Sequence, residues 1–263
     1  MNITLHNLKV SIIIAIKSLI LKKLINLFLR KLGYELKTIS SHNHSQSKLL
    51  AEGFPEYLKE SRKAGMDVND FINSKLGNPA YDIQIILKKE LSEFKSPIFC
   101  ELGVGTGRWT KEIIKILHDS QDWKIYAVDH SEWIVDFLKN YFINEKNVIP
   151  LLNDGLTLPF PDNNFLDLIF CQGMFIELKL SNIMSYAFEF SRTLKPNGIA
   201  VFNYIDLKTD NGWNHLRKQS TILSSCFTYH TTETIDRIFT EAGFVKIKSL
   251  LLGNSTYSYF RKL

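Results

Sequence analysis

The stretch Ile98-Phe99-Cys100-Glu101-Leu102-Gly103-Val104-Gly105-Thr106-Gly107-Arg108-Trp109 sets the reading of the whole chain. Residues 98–102 form an apolar run broken only by its acidic member and bounded by Pro97 and by glycine, the pattern of a strand buried on both faces. From Trp109 onward the apolar residues Trp109, Ile113, Ile116 and Leu117 recur at helical spacing, so the three alternating glycines form a strand-to-helix turn. Glycine permits positive φ and leaves no Cβ, so a ligand can lie against bare backbone. The unpaired N–H groups of the helix's first turn then face whatever occupies the loop. The motif is a cradle for a small molecule.

Three cofactor classes use such a turn. A phosphate-binding loop needs Lys-Ser/Thr after its last glycine, and Arg108-Trp109 stands there instead. The dinucleotide fingerprint is G-x-G-x-x-G, whereas this loop reads G-x-G-x-G with an acid two positions before the first glycine. Glu101 to Gly107 resembles motif I of the class I S-adenosylmethionine-dependent methyltransferases.

Downstream residues extend that resemblance. Lys124 to Asp129 reads as a second strand ending in a carboxylate, with Asp129 placed 26 residues after Gly103, about one βαβ unit on. A carboxylate at that strand end can accept both hydroxyls of a ribose. Ser131 is placed to cap a helix whose apolar face is Trp133, Ile134, Phe137, Leu138 and Tyr141. Asn147 to Leu152 is a third strand. The run Asp154-Gly155-Leu156-Thr157-Leu158-Pro159-Phe160-Pro161-Asp162 resembles the family's D-(A/G)-x-x-L-P-F-x-D signature, in which the aspartate contacts the adenine amino group. The family continues with an aromatic directly before Asp, and here Phe165-Leu166-Asp167 carries one extra residue. Leu166 to Cys171 is strand four, and Leu194-Lys195-Pro196-Asn197-Gly198 resembles the family's L-K-P-G-G turn into strand five, Ile199 to Ile205. A polar stretch from Asp206 to His230 has the length of an acceptor-binding insertion or lid. Thr231 caps a helix through Ala242, strand six opens at Phe244, and Ser255 to Arg261 alternates as a last, antiparallel strand.

The resemblance implies a doubly wound, seven-stranded, mostly parallel α/β sheet of the Rossmann-like methyltransferase type over residues 96–263. It implies S-adenosylmethionine as cofactor. The residues it places around that cofactor are Glu101, Gly103, Gly105, Gly107, Asp129, His130, Asp154, Gly155 and Cys171. Glu101 and the loop amides would hold the methionine end, Asp129 the ribose, and Asp154-Gly155 the adenine.

Ahead of this domain the chain divides into residues 1–38, a basic amphipathic helix, and 39–95, a helical cap and linker. Residues 1–48 hold eight Lys/Arg against Glu35 alone, a charge of +7, so the remainder carries −2 of the total +5. Basic character therefore belongs to the N-terminus, which argues against a nucleic-acid groove across the main domain. Lys22, Lys23, Asn26 and Arg30 share one helical face, with Ile20, Leu21, Leu24, Leu27 and Phe28 on the other. Such a helix suits the surface of an anionic membrane, or equally packing on its own domain or on a second copy. No run in 10–32 approaches the roughly 18–20 apolar residues of a membrane span. Ser40 to Ser47 reads as a linker, and its pair His42 and His44 lacks further ligands, so no metal site is expected. Residues 48–95 look helical with breaks at Gly53-Phe54-Pro55, Gly65 and Gly77-Asn78-Pro79, and Tyr57, Phe71 and Tyr81 are candidate pocket residues.

A hydrophobic content of 45% with 22% charged residues is that of a soluble globular protein. Three scattered cysteines, two of them in core strands, fit a reduced compartment, so the expected location is cytoplasmic, peripheral at the inner membrane face through residues 10–32. The Asn/Asp-Pro-Pro-aromatic run of adenine-amino methylases is missing after strand four, and no proline precedes a cysteine as in cytosine-C5 methylases. The expected acceptor is a small molecule. Lys31-Leu32-Gly33-Tyr34-Glu35 resembles the opening of methyltransferases and glycosyltransferases of surface-glycan pathways, which favours O-methylation of a sugar or related, lipid-linked metabolite. Glu177, His215 and His230 are candidate general bases by location. A nicotinamide-dependent oxidoreductase and a catalytically silent cofactor-binding interaction protein are the alternatives.

Overall fold

The computed structural model describes residues 45–263 apart from 119, 121 and 223–225, with side chains described from residue 53. The predicted basic helix within 10–32, the His42/His44 pair and Lys31 to Glu35 lie outside the described residues.

Seven strands form one sheet: β1 (Ile98–Leu102), β2 (Lys124–Asp129), β3 (Val148–Leu152), β4 (Leu166–Cys171), β5 (Leu194–Tyr204), β6 (Phe244–Leu252) and β7 (Ser255–Lys262). Their order is β3-β2-β1-β4-β5-β7-β6. β1 to β5 run parallel, and β7 lies antiparallel between β5 and β6. The chain winds outward from β1 to β3 and then returns to β4 on the other side of β1. That reversal opens a crevice at the carboxyl ends of β1 and β4.

Side chains along the central strands alternate between two buried faces. Phe99, Leu168, Phe170, Ile199 and Val201 pack on one side with α3 (Ala80–Leu91), α4 (Arg108–Leu117) and α5 (Glu132–Tyr141). Cys100, Leu102, Ile169, Cys171, Ala200 and Phe202 pack on the other with α6 (Leu180–Thr193) and α8 (Thr232–Glu241). Burial on both faces is why these strands read as continuous apolar runs. The second face is dominated by aromatics: Phe202 stacks on Phe239 at 4.5 Å and on Phe260 at 5.8 Å, with Phe175 at 4.7 Å. Burying each such ring contributes about 1.5–3 kcal/mol.

Several local expectations are corrected. α1 (Ser45–Lys63) begins inside the predicted linker and runs straight through Gly53-Phe54-Pro55, while the breaks at Gly65 and Gly77-Asn78-Pro79 stand before and after α2 (Val68–Leu76). Ser131 stands at the N-cap of α5 without a side-chain capping bond, and its own backbone N–H donates to Asp129. Trp133 is exposed and stacks on Phe137, which with Tyr141 packs part-buried against the core, while Ile134, Val135 and Leu138 form the buried face. The Leu194 to Gly198 turn is the irregular start of β5, with Asn197 at φ +67 where the family motif has glycine. Asn tolerates that left-handed conformation. Gly198 cannot be replaced so easily, since a Cβ there would lie 2.9 Å from the Lys195 carbonyl oxygen. Asp167, displaced by the extra residue, anchors the other end of the sheet by accepting from the Ile98 N–H (2.8 Å) and from Lys195 (2.8 Å). The polar insertion contains α7 (Asp210–Gln219), and Thr231 caps α8 as expected, accepting from the Thr234 N–H.

Candidate active site

The glycine loop is held at the mouth of the crevice by backbone alone. The N–H groups of Gly103 and Val104 both donate to the Val128 carbonyl, at 2.8 and 3.2 Å, which ties the tip of β1 to the tip of β2. Gly103, Gly105 and Gly107 all have positive φ, at 73°, 55° and 75°. Gly107 occupies the left-handed position that caps α4, with its N–H on the Val104 carbonyl.

Below the loop lies Glu101, only 2% exposed, its carboxyl receiving the Thr110 hydroxyl at 2.6 Å. Burial pushes its pKa up to about 8 against the pull of that hydrogen bond. Asp129, at the end of β2, accepts from the Gly105 N–H at 3.1 Å and the Ser131 N–H at 2.9 Å, with His130 Nδ1 at 3.4 Å. Burial raises its pKa, while those donors and His130 oppose the rise. A carboxylate offers about four lone-pair directions, so Asp129 keeps capacity for further donors.

The remaining predicted residues complete a chain of contacts across neighbouring strand tips. A Cβ on Gly155 would stand 4.0 Å from the His130 Cβ, and one on Gly103 would stand 3.3 Å from Met174 Sδ beyond β4. Glu101, the three glycines, Asp129, His130 and Gly155 are thus brought together along β1, β2 and β3, and the residues after β4 close the other side.

Two site expectations are modified. Asp154 turns its carboxylate back onto its own turn, accepting from the N–H groups of Leu156 (2.9 Å) and Thr157 (2.6 Å) and from the Thr157 hydroxyl (2.8 Å). These bonds hold its pKa down. Most of its acceptor capacity is therefore spent locally, as Asp-Gly turns favour. Next to it, Asn153 is buried with its side-chain Nδ2 on the Thr157 carbonyl and the Tyr186 hydroxyl, and its Oδ1 lacks a hydrogen-bond partner. Cys171 is fully buried in the apolar core, and burial raises its thiol pKa, so any contact it makes with a ligand comes through backbone.

The cap contributes residues that periodicity did not single out. Asn69 of α2 is fully buried, donates to the Thr106 carbonyl at 2.9 Å and accepts from the Thr106 hydroxyl at 2.6 Å. Arg108 donates to Asn73 (2.6 Å) and to the Gly77 carbonyl, while Lys111 pairs with Asp70 (3.0 Å) and Asp67 (3.3 Å). The ring of Phe54, from α1, would lie 3.1 Å from a Cβ on Gly105 and so covers the middle of the loop. Of the candidate pocket aromatics, Phe71 is core and contacts Tyr57, whereas Tyr81 is 73% exposed.

On the acceptor side, His215 Nδ1 lies 3.2 Å from the Tyr229 hydroxyl and its ring meets Phe227 edge-on at 4.8 Å. His230 is buried, with Nε2 3.2 Å from the Leu178 carbonyl and 3.1 Å from the Thr228 hydroxyl. Its environment is that of a structural clasp. Among the described residues no group of three or more His, Cys, Asp or Glu is placed to hold a metal ion, and no helix is long and apolar enough to cross a membrane.

Comparison with known proteins matches this arrangement. Residues 99–198 fit the family model described as a methyltransferase domain. Demethylmenaquinone methyltransferase from Staphylococcus aureus strain JH9 is 23% identical over 189 residues, covering 61% of this chain and 73% of that protein. A SAM-dependent methyltransferase from Aquifex aeolicus superposes with a TM-score of 0.53 at 18% identity, over 72% of this chain and 96% of that one. Magnesium protoporphyrin IX methyltransferase from Synechocystis PCC 6803, with bound SAH, gives 0.57 at 12% identity over 71% and 84%. Residues 99–198 thus carry a methyltransferase-domain match that runs from motif I to the turn into β5 on a sheet of this order, which supports a class I S-adenosylmethionine-dependent methyltransferase.

Proposed function

We propose that this enzyme methylates a hydroxyl group of a sugar or related small metabolite, carried on a lipid. The cradle suits S-adenosylmethionine: the loop at Gly103 and Gly105 has no Cβ and is closed over by Met174 and Phe54, Asp129 retains lone pairs, and Asn153 Oδ1 is a buried acceptor awaiting a donor. Glu101 and the loop amides are assigned to the methionine end, Asp129 to the ribose, and His130, Asn153, Asp154 and Gly155 to the adenine edge. Bound there, the cofactor supplies an electrophilic methyl group, so the protein's task is mainly to orient the acceptor and exclude water.

The observation that carries the small-molecule reading is the wall facing the cradle. Residues 226–230 pack against the turn after β4, with the Thr228 N–H on the Ile176 carbonyl at 2.7 Å, and bring His215, Phe227 and Tyr229 beside it. Polar groups set among aromatic rings suit a hydroxyl-bearing acceptor better than a phosphate backbone. The lipid-linked part of the reading rests on the basic amphipathic segment 10–32, which would place the enzyme at the inner membrane face.

Labelled S-adenosylmethionine offered with fractionated cell extract tests the proposal, because the fraction that takes up label reports acceptor class directly. Label in a water-soluble or lipid-extractable glycan supports the reading. Label confined to nucleic acid or protein refutes it. Demethylmenaquinone, the acceptor in the Staphylococcus relative's name, is a second candidate favoured by the same amphipathic segment, and appears as label in a neutral lipid. Thermal stabilisation by S-adenosylhomocysteine, with none by NAD, separates the assignment from an oxidoreductase.

A further inference from the structure

The turn after β4 carries a carboxylate unlike any other in the described structure. Seven Asp or Glu residues are buried among the described residues, and six have a donor: Glu90 has Lys248, Glu101 Thr110, Glu112 Lys115, Asp129 Gly105 and Ser131, Asp167 Ile98 and Lys195, Asp206 Thr232. Glu177 is the exception. It is 9% exposed, and its carboxyl has neither a hydrogen bond nor an ion pair among the described residues. Burying such a group without a partner is unfavourable, and it is retained where a site uses it.

Its position is set from several directions. The Glu177 N–H donates to the Met174 carbonyl at 3.0 Å, so Glu177 sits one turn beyond the residue whose side chain touches Gly103. Its neighbours are fixed: the Thr228 hydroxyl donates to the Leu178 carbonyl (3.0 Å), His230 reaches the same carbonyl, and Phe175 is locked in the aromatic core. Upstream, the Gly173 N–H donates to Asn203 Oδ1 at 2.7 Å, and Tyr257 donates to Gln172 at 2.7 Å. Across from Glu177 stands Cys226, whose thiol is raised first by burial and then by the Glu177 charge. His230, and the His215–Tyr229 pair, are the other titratable groups of that wall.

We infer that Glu177 is the general base of methyl transfer, taking the proton of the acceptor hydroxyl. This rests on the hydroxyl-acceptor reading above. In the step the O–H proton passes to a Glu177 carboxylate oxygen, and a lone pair of the acceptor oxygen forms the new O–C bond. The electron pair of the breaking S–C bond stays on sulfur, giving S-adenosylhomocysteine, a methyl ether and protonated Glu177, which returns its proton to solvent. Burial pushes the Glu177 pKa up to about 8, which strengthens the carboxylate as a base near working pH.

The test uses the full-length enzyme and its Glu177→Gln and Glu177→Asp variants, with the extract fraction that accepts label from wild type. Glu177→Gln should lose about 10²–10⁴ in transfer rate while binding S-adenosylhomocysteine within about twofold of wild type, and Glu177→Asp should recover part of the rate. The wild-type rate should rise with pH through about 8, and that rise should vanish in Glu177→Gln. Independently of turnover, ¹³C NMR of labelled glutamate carboxyls should show two groups titrating far above the ordinary range, Glu101 and Glu177, of which Glu177→Gln removes one and leaves the other. A Glu177→Gln enzyme within about threefold of wild type, or one whose cofactor affinity falls as far as its rate, overturns the base role. An O-methylated product combined with an active Glu177→Gln enzyme defeats the base alone. A product methylated on nitrogen, sulfur or carbon defeats the hydroxyl reading and the base with it.

Discussion

Asn69 and Thr106 exchange two hydrogen bonds at 2.9 and 2.6 Å, both residues buried, and so join the cap helix α2 directly to the cofactor loop. Removing one side leaves a buried hydroxyl and a buried carbonyl unpaired. Asn69→Ala should therefore cost about 1–3 kcal/mol of unfolding free energy. It should also weaken S-adenosylhomocysteine binding, because the loop loses its brace. Urea unfolding and calorimetry on the same samples check both. Asn73→Ala, which loses the bond from part-buried Arg108, should cost less.

Asp129 spans the gap between β2 and the loop through Gly105 and Ser131. Asp129→Ala should weaken S-adenosylhomocysteine binding about tenfold or more, since charge-assisted bonds contribute roughly 1.5–3 kcal/mol each. Asp129→Asn should also bind poorly, because its amide nitrogen would face a backbone donor. An Asp129→Ala protein that remains folded and binds normally removes the ribose assignment.

Gly107 has φ +75, and a Cβ there would lie 2.5 Å from the Phe142 ring. Left-handed backbone costs a side chain about 1–2 kcal/mol, and overpacking a core ring about 1–3 more. Gly107→Ala should thus lose about 2–5 kcal/mol of stability by thermal or urea unfolding, the sum of those two terms. Gly253→Ala, where φ is +59 with nothing within 4 Å of the added Cβ, should show the backbone cost alone.

Glu101 and Glu177 both have pKa values raised by burial to about 8 from 4.5. Between those values the folded state holds protons that the unfolded state has released, so stability falls as pH rises through this window and levels off above about 8. Glu101→Gln should flatten part of that slope, leaving the variant more stable than wild type near pH 8 and little changed near pH 5. Thermal unfolding across the range measures it. A wild-type midpoint that climbs between those pH values contradicts the buried, protonated state of both groups.

The central strands were legible because burial on both faces writes an unbroken apolar run, and the glycine loop because positive φ selects glycine at three alternating positions. Asn69 was not legible, since its partner lies 37 residues away and a polar residue in a cap helix resembles a solvated one. Phe54 was hidden behind Pro55, which the helix accommodates with the loss of one backbone bond. Asp154 shows a different limit of sequence. The motif located it at the tip of β3, but only coordinates reveal that its turn consumes the carboxylate. Glu177 stood out in sequence by place alone, and its lack of a donor among the described residues becomes visible only with the surrounding walls in place.

The last prediction concerns the charge carried by the first 48 residues, +7 against −2 for the rest. If segment 10–32 lies on an anionic surface, Lys22, Lys23 and Arg30 contribute about 1 kcal/mol each. Together they favour phosphatidylglycerol over phosphatidylcholine vesicles by about 10² at low salt, a preference that screening erodes. Replacing all three with Glu in the full chain should abolish co-sedimentation with phosphatidylglycerol vesicles. Deleting residues 1–38 should do the same while leaving S-adenosylhomocysteine affinity unchanged, because every cradle residue lies in the unit Gln46–Leu263. Equal binding to both vesicle types refutes surface attachment, whereas loss of cofactor binding on deletion shows that the segment supports the fold of the domain it precedes.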